Sequence, residues 1–228
     1  MEAIVSKISV MLVPALLAII LHEVAHGYVA EKFGDPTARL LGRLTLNPIR
    51  HLDPIGTLAV FVFGFGWARP VPVNAGNFRR PRRDMIWVAL AGPLANLLLA
   101  VVSTLILKGL SLLEATGVGS SVYFTQYAMP LRMMAGFSLY INILLGVFNL
   151  VPMPPLDGGR ILTGILPERQ SAIISRLEPF GFVLILFLVF FTDVWSLVLQ
   201  PLIYSLVVLF AGHELGYVQH AMQYLFGH

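Results

Sequence analysis

His22-Glu23-Val24-Ala25-His26 sets two imidazoles four residues apart with a carboxylate between them. On a helix, positions i and i+4 share one face. Both histidines can therefore hold one zinc ion, leaving Glu23 free to activate its water. Zinc lowers the pKa of a coordinated water from about 16 to near 7, which makes hydroxide available at neutral pH. Glu23 would accept the proton and return it to a leaving amine. Short motifs do arise by chance. This one ends a long apolar stretch, where ionisable groups are costly and mark function.

A catalytic zinc takes three protein ligands and keeps a position open. The chain has no cysteine, so the third ligand must be His, Asp, Glu or a carbonyl oxygen. Asp157 is the best placed, within Asn149-Leu150-Val151-Pro152-Met153-Pro154-Pro155-Leu156-Asp157-Gly158-Gly159-Arg160. Prolines there end a helix, and glycines permit a tight turn that could aim the carboxylate back into a bundle. The competing role is a helix cap or an Asp-Gly turn, and this stretch alone does not separate the two.

Asn149 can orient Asp157, or hydrogen-bond substrate backbone or an oxyanion. Asn96 either contacts substrate or bonds across helices, and Asn142 reads as an interhelical contact. His213-Glu214-Leu215-Gly216-Tyr217 begins like the first motif, but a tyrosine stands where the second histidine belongs. His213, His220 and His228 read as interfacial or tail residues. His51, beside Arg50 and Asp53, reads as a hydrogen-bonded loop residue.

The elements that must position these groups are apolar. Hydrophobic residues make up 57% of the chain and charged residues 12%, with a mean hydropathy of +0.81. Soluble domains carry roughly 25% charged residues, so a bilayer is the natural solvent. The absence of cysteine excludes disulfides and thiolate metal sites. A net charge of +3, with basic residues flanking apolar spans, suits headgroups better than nucleic acid.

Spans are expected over about 5–29, 85–107 (interrupted at Gly92-Pro93) and 133–151. The run 180–211 divides into two helices near Thr192-Asp193, giving five spans, or six at most. The first run reads as a retained span, not a cleaved signal peptide. Ile55–Trp67 is apolar but too short to cross and reads as re-entrant or interfacial. The alternating Pro and Val of 68–74 suit an extended edge, so a short membrane-associated hairpin is expected over 55–75. The fold class is all-α, a polytopic membrane helix bundle. Nine Lys and Arg lie between Ala30 and Asp84 and three between Arg160 and Arg176, against three elsewhere. That bias sets both loops, and the active site, toward the cytoplasm. The run Arg79, Arg80, Arg82 and Arg83 reads as a topology determinant.

With these residues in view, the chain resembles the site-2 protease family of intramembrane zinc metalloproteases. The matching segments are HEVAH at 22–26, LNPIRHLDPIGT at 46–57, GWARPVPVN at 66–74, GPLAN at 92–96 and NLVPMPPLDGG at 149–159. The resemblance runs from about His22 to Leu162. It implies a three-helix core, zinc ligands His22, His26 and Asp157, and Glu23 as general base. The length suits one membrane-embedded domain over 1–228, with a catalytic core at about 1–165 and accessory spans at about 170–228 on which the resemblance says little. The expected cofactor is one zinc ion. The expected partners are a transmembrane protein substrate and the lipid bilayer, with self-association into a homo-oligomer left open. A multi-pass protein of a prokaryotic plasma membrane is the expected setting. A zinc-binding adaptor without catalysis is the rival, weakened by the intact Glu23. An ion transporter is the second, weakened by the lack of internal repeats.

Overall fold

Backbone in hydrocarbon has no water to bond, so an apolar chain of this kind must satisfy its N–H and C=O groups within helices. The computed structural model describes residues 2–56, 58, 66–116 and 122–227, and among them helix dominates. Three long helices come first: α1 (Glu2–Lys32), α2 (Pro81–Ala115) and α3 (Val122–Asn149). Shorter ones follow as α4 (Asp157–Ile165), α5 (Glu168–Ser175), α6 (Gly181–Phe191), α7 (Gln200–Ala211) and α8 (Leu215–Phe226).

Among the described residues four segments are long and apolar enough to cross a membrane: Lys7–Lys32, Pro81–Ala115, Gln126–Asn149 and Trp195–Phe226. A fifth is available if the bent pair 168–180 and 183–191, angled at 83°, counts as one span. At 1.5 Å per residue α6 alone reaches only about 16 Å, about half a hydrocarbon core. Large apolar side chains face outward, among them Leu98 at 67%, Leu105 at 62% and Leu209 at 73% exposure. In water such faces would aggregate; in lipid they are solvated.

The boundaries depart from the sequence reading in two places and agree with it in a third. Helix α2 continues through Gly92-Pro93 and is not interrupted there, because a membrane helix tolerates one missing N–H. The break expected near Thr192-Asp193 is present, since α6 ends at Phe191. The final span, however, runs on past Ala211 to Phe226. The 213–220 region is therefore helical, and Glu214 is buried with its carboxylate accepting from Oγ of Ser111 at 2.7 Å.

The 55–75 segment is seen in part, because residues 57 and 59–65 lie outside the described ones. Its flanks meet at an antiparallel bridge between Leu52 and Ala68, and Arg69 donates its N–H to the His51 carbonyl at 2.8 Å. Residues 69–74 continue without helix or ladder.

The chain divides into two compact units. The first comprises Met1–Ala18, Asn96–Leu145 and Val194–His228. Its apolar centre joins Val10, Met133, Phe137, Ala221 and Leu225. A polar ladder runs through it: Asn96 donates to the Ala18 carbonyl at 3.2 Å and to Oδ1 of Asn142 at 2.9 Å, and Ser103 and Ser138 share a bond of 2.8 Å. The second unit comprises Ile19–Ala95 and Gly146–Asp193. It holds a cluster of Ala30, Phe78 and Val88.

Candidate metal centre

The second unit contains every group of the centre. Helix α1 presents His22 and His26 one turn apart, 7% and 6% exposed. Asp157, 6% exposed, opens α4. The two Nε2 atoms are 3.0 Å apart, and each lies 3.2 Å from Oδ2 of Asp157.

The protonation pattern explains why these atoms face one another. Nδ1 of His26 is 2.7 Å from the Val88 carbonyl. A carbonyl only accepts, so Nδ1 carries the proton and the neutral ring turns the lone pair of Nε2 toward Asp157. Oδ2 of Asp157 is buried without a hydrogen bond. Two imidazole nitrogens and a carboxylate oxygen thus converge within 3.2 Å of one another, an arrangement a cation resolves. The ligand atoms of the three residues lie within 4.8 Å of one another. A His-His-Asp set without thiolates suits zinc. Burial alone would push the Asp157 carboxyl up, but its interactions with His22 and His26 outweigh that and hold it well below the usual carboxylate range. The carboxylate is thus in the form a metal needs.

Asp157 is not the cap of α4. Leu156 occupies the cap of α4, and no side chain caps that helix. The turn that delivers Asp157 is tight. A Cβ at Gly158 would run into the carbonyl oxygens of Leu150 and Val151.

Glu23 is half-buried, and its Oε2 accepts the N–H of Val71 at 2.7 Å. The extended segment 69–74 therefore passes beside the motif glutamate. Arg43 secures that segment through the Arg69 carbonyl at 2.7 Å, and Asp35 accepts the N–H of Asn74 at 2.7 Å. Residue-type reasoning missed both anchors. The signal for Asp35 lay in Gly34-Asp35-Pro36, a break directly after the motif helix. His51 is a loop residue as expected, with Nε2 2.8 Å from the Thr45 carbonyl.

Asp35 is fully buried and also takes bonds from the N–H and Oγ1 of Thr37 and from Nδ2 of Asn77. Burial opposes its charge, but these donors prevail and hold its carboxyl below the usual range. A depressed folded pKa means stability present above the unfolded value of about 3.9 and lost as pH falls through the folded one. Asp35→Asn is expected to lower stability by about 2 kcal/mol at pH 7, the scale of bonds to a charged acceptor. That deficit should shrink below about pH 4. Thermal unfolding of both metal-free proteins across that range checks it; a deficit independent of pH refutes the assignment.

Gly92 is the second contributor that residue types did not announce. A Cβ there would stand 2.6 Å from Nε2 of His22 and closer still to that of His26. Helix α2 thus closes over the histidines only because this position is bare. Asn149 ends α3 half-buried in the same unit. Asn96 belongs to the first unit, within the ladder described above.

The model of peptidase family M50 matches residues 10–191. The chain belongs to peptidase family M50. YwhC of Bacillus subtilis (strain 168), which bears a zinc-metalloprotease name, is 41% identical over 198 residues, 85% of each chain. Rip2 of Mycobacterium tuberculosis (strain ATCC 25618 / H37Rv) is 33% identical over 181 residues, covering 76% of this chain and 64% of that relative. Zinc metalloprotease MJ0392 of Methanocaldococcus jannaschii is 25% identical over 167 residues, 73% of this chain and 37% of that one. No solved structure matches the chain significantly. This M50 chain is a zinc metalloprotease and an integral membrane protein.

Proposed function

We propose that this M50 protease cleaves peptide bonds in or near the membrane-spanning segments of other membrane proteins. The observation that carries the reading is the depth of the site. His22 and His26 lie inside the apolar span Lys7–Lys32, buried, with the carboxylate of Asp157 closing on them. His22, His26 and Asp157 hold zinc, which when bound supplies a Lewis acid beside the scissile bond. Glu23 takes the proton from the attacking water and delivers it to the leaving amine nitrogen. Asn149 serves substrate backbone or the oxyanion, whereas Asn96, fully buried with its amide given to Ala18 and Asn142, takes the interhelical role. A substrate must be extended there, because a helix keeps its carbonyls in backbone bonds. The N–H of Val71 is engaged by Glu23, so any pairing of substrate with segment 69–74 uses the segment's other groups.

The whole chain acts as one protease domain, with the site toward the cytoplasm of a prokaryotic cell. The Lys and Arg bias supports that orientation, and bacterial and archaeal relatives support that origin. The test is reconstitution in liposomes with a panel of single-span substrates, the product ends being mapped by mass spectrometry. Zinc-dependent cuts inside or within a few residues of the span are the expected result. Cuts confined to soluble regions, or equal cutting of an unfolded soluble protein, would refute the reading.

A further inference from the structure

Where α1 ends and α2 begins, the second unit carries a cavity of about 480 Å³. Lys32 comes from the end of the first span, Arg79 and Arg80 immediately precede the second, and Arg83, Asp84 and Trp87 come from its start. The arginine run splits into two tasks. Arg82 faces away to a structural role, its guanidinium donating to the carbonyls of Thr163 and Leu166. The guanidinium groups of Arg79, Arg80 and Arg83 are exposed, and among the described residues they have no hydrogen-bond or ion-pair partner.

The carboxylates nearby are occupied. Asp84 is buried and accepts the backbone N–H of Arg80 at 2.8 Å, holding the start of α2. Glu31 is paired with Arg39. Four cations against one engaged carboxylate therefore face a single cavity, and the start of α2 adds partial positive charge. Diffuse attraction to a leaflet needs no cavity; a bound anion does.

We propose that this cavity binds the phosphate of an anionic phospholipid headgroup. The shared chemistry is a phosphate ester gripped by guanidinium groups, which offer paired donors matched to phosphate oxygens. Lipid is the source the position favours. The cavity lies at the ends of two membrane spans, and Trp87, 50% exposed, stands at its edge. Tryptophan prefers headgroup depth, and basic pockets between spans select anionic headgroups. Such a lipid would clamp the end of the helix that carries His22, Glu23 and His26, although the proposal does not depend on the protease reading.

The experiment uses the full chain with Trp67→Phe and Trp195→Phe, so that Trp87 alone fluoresces. The protein is placed in phosphatidylcholine liposomes doped with brominated phosphatidylglycerol or brominated phosphatidylcholine. Half-quenching is expected at a roughly 100-fold lower fraction of the anionic lipid, since three basic groups each contribute about fivefold near such headgroups. Arg79→Gln with Arg80→Gln and Arg83→Gln should abolish the preference, and the matching Lys substitutions should retain most of it. Arg169→Gln with Arg176→Gln removes charge elsewhere in the same unit and should leave it intact. Unchanged zinc content shows that each variant is folded. Equal loss in the Arg169 and Arg176 variant would reduce the effect to surface potential and overturn the site. Relief of quenching by inorganic phosphate would assign it to a free anion, and relief by an acidic peptide would assign it to a protein partner; either overturns the lipid.

Discussion

Glu23→Gln is expected to keep its zinc and to lose proteolytic turnover by about 10²- to 10⁴-fold, the range a positioned general base supplies. Glu23 is not one of the three converging groups; its Oε2 is turned to the N–H of Val71. Glutamine keeps an amide oxygen that can accept that same N–H, so the local geometry survives while the base is gone. Metal content by atomic absorption and turnover on a single-span substrate decide the matter together. Full zinc with near-normal turnover would move the base elsewhere. Loss of zinc would make Glu23 part of the metal's own support. A zinc-binding adaptor without catalysis predicts no turnover in the parent protein either, so the pair of proteins also separates that rival.

Gly92→Ala should cost the protein its metal, by about 100-fold or more in affinity, the upper end of what disturbed ligand support costs. The added methyl would fall 2.6 Å from Nε2 of His22 and nearer to His26, so the ligand nitrogens must move apart. The substitution is diagnostic because its effect on the metal-free fold is smaller. Alanine favours helix over glycine by about 1 kcal/mol, which offsets part of an overpacking cost of about 1–3 kcal/mol, so the metal-free variant should lose no more than about 2 kcal/mol of stability. Metal titration followed by thermal unfolding in chelator measures the two effects separately. Tight zinc in the variant would show that α2 does not approach the histidines as described. Equal destabilisation with and without metal would show a packing defect instead.

Both effects bear on what residue order alone could reveal. The motif at His22, Glu23 and His26 was legible because helical period is local, and residues four apart share a face in any α-helix. The membrane setting was legible because solvent choice follows from composition, and so was the break at Thr192-Asp193. Asp157 was legible as a candidate through its glycines and prolines, but as cap and ligand alike. Only the tertiary structure sets its Oδ2 3.2 Å from both histidines.

The remaining parts of the centre act through atoms that residue names do not report. Val71 contributes a backbone N–H and Val88 a carbonyl, groups nearly every residue possesses. Gly92 contributes an absence, whose meaning depends on which helix lies opposite. The end of the last span was misjudged because Glu214 looks like a surface residue until Ser111, over a hundred positions earlier, is seen to bond it. Sequence by itself determined the chemistry available and the solvent, since both depend on residue type and short-range spacing. Which groups meet, which backbone atoms orient them, and where a bare position lets two helices close were decided by tertiary packing, because contacts between distant segments are set by the fold as a whole and not by any local run.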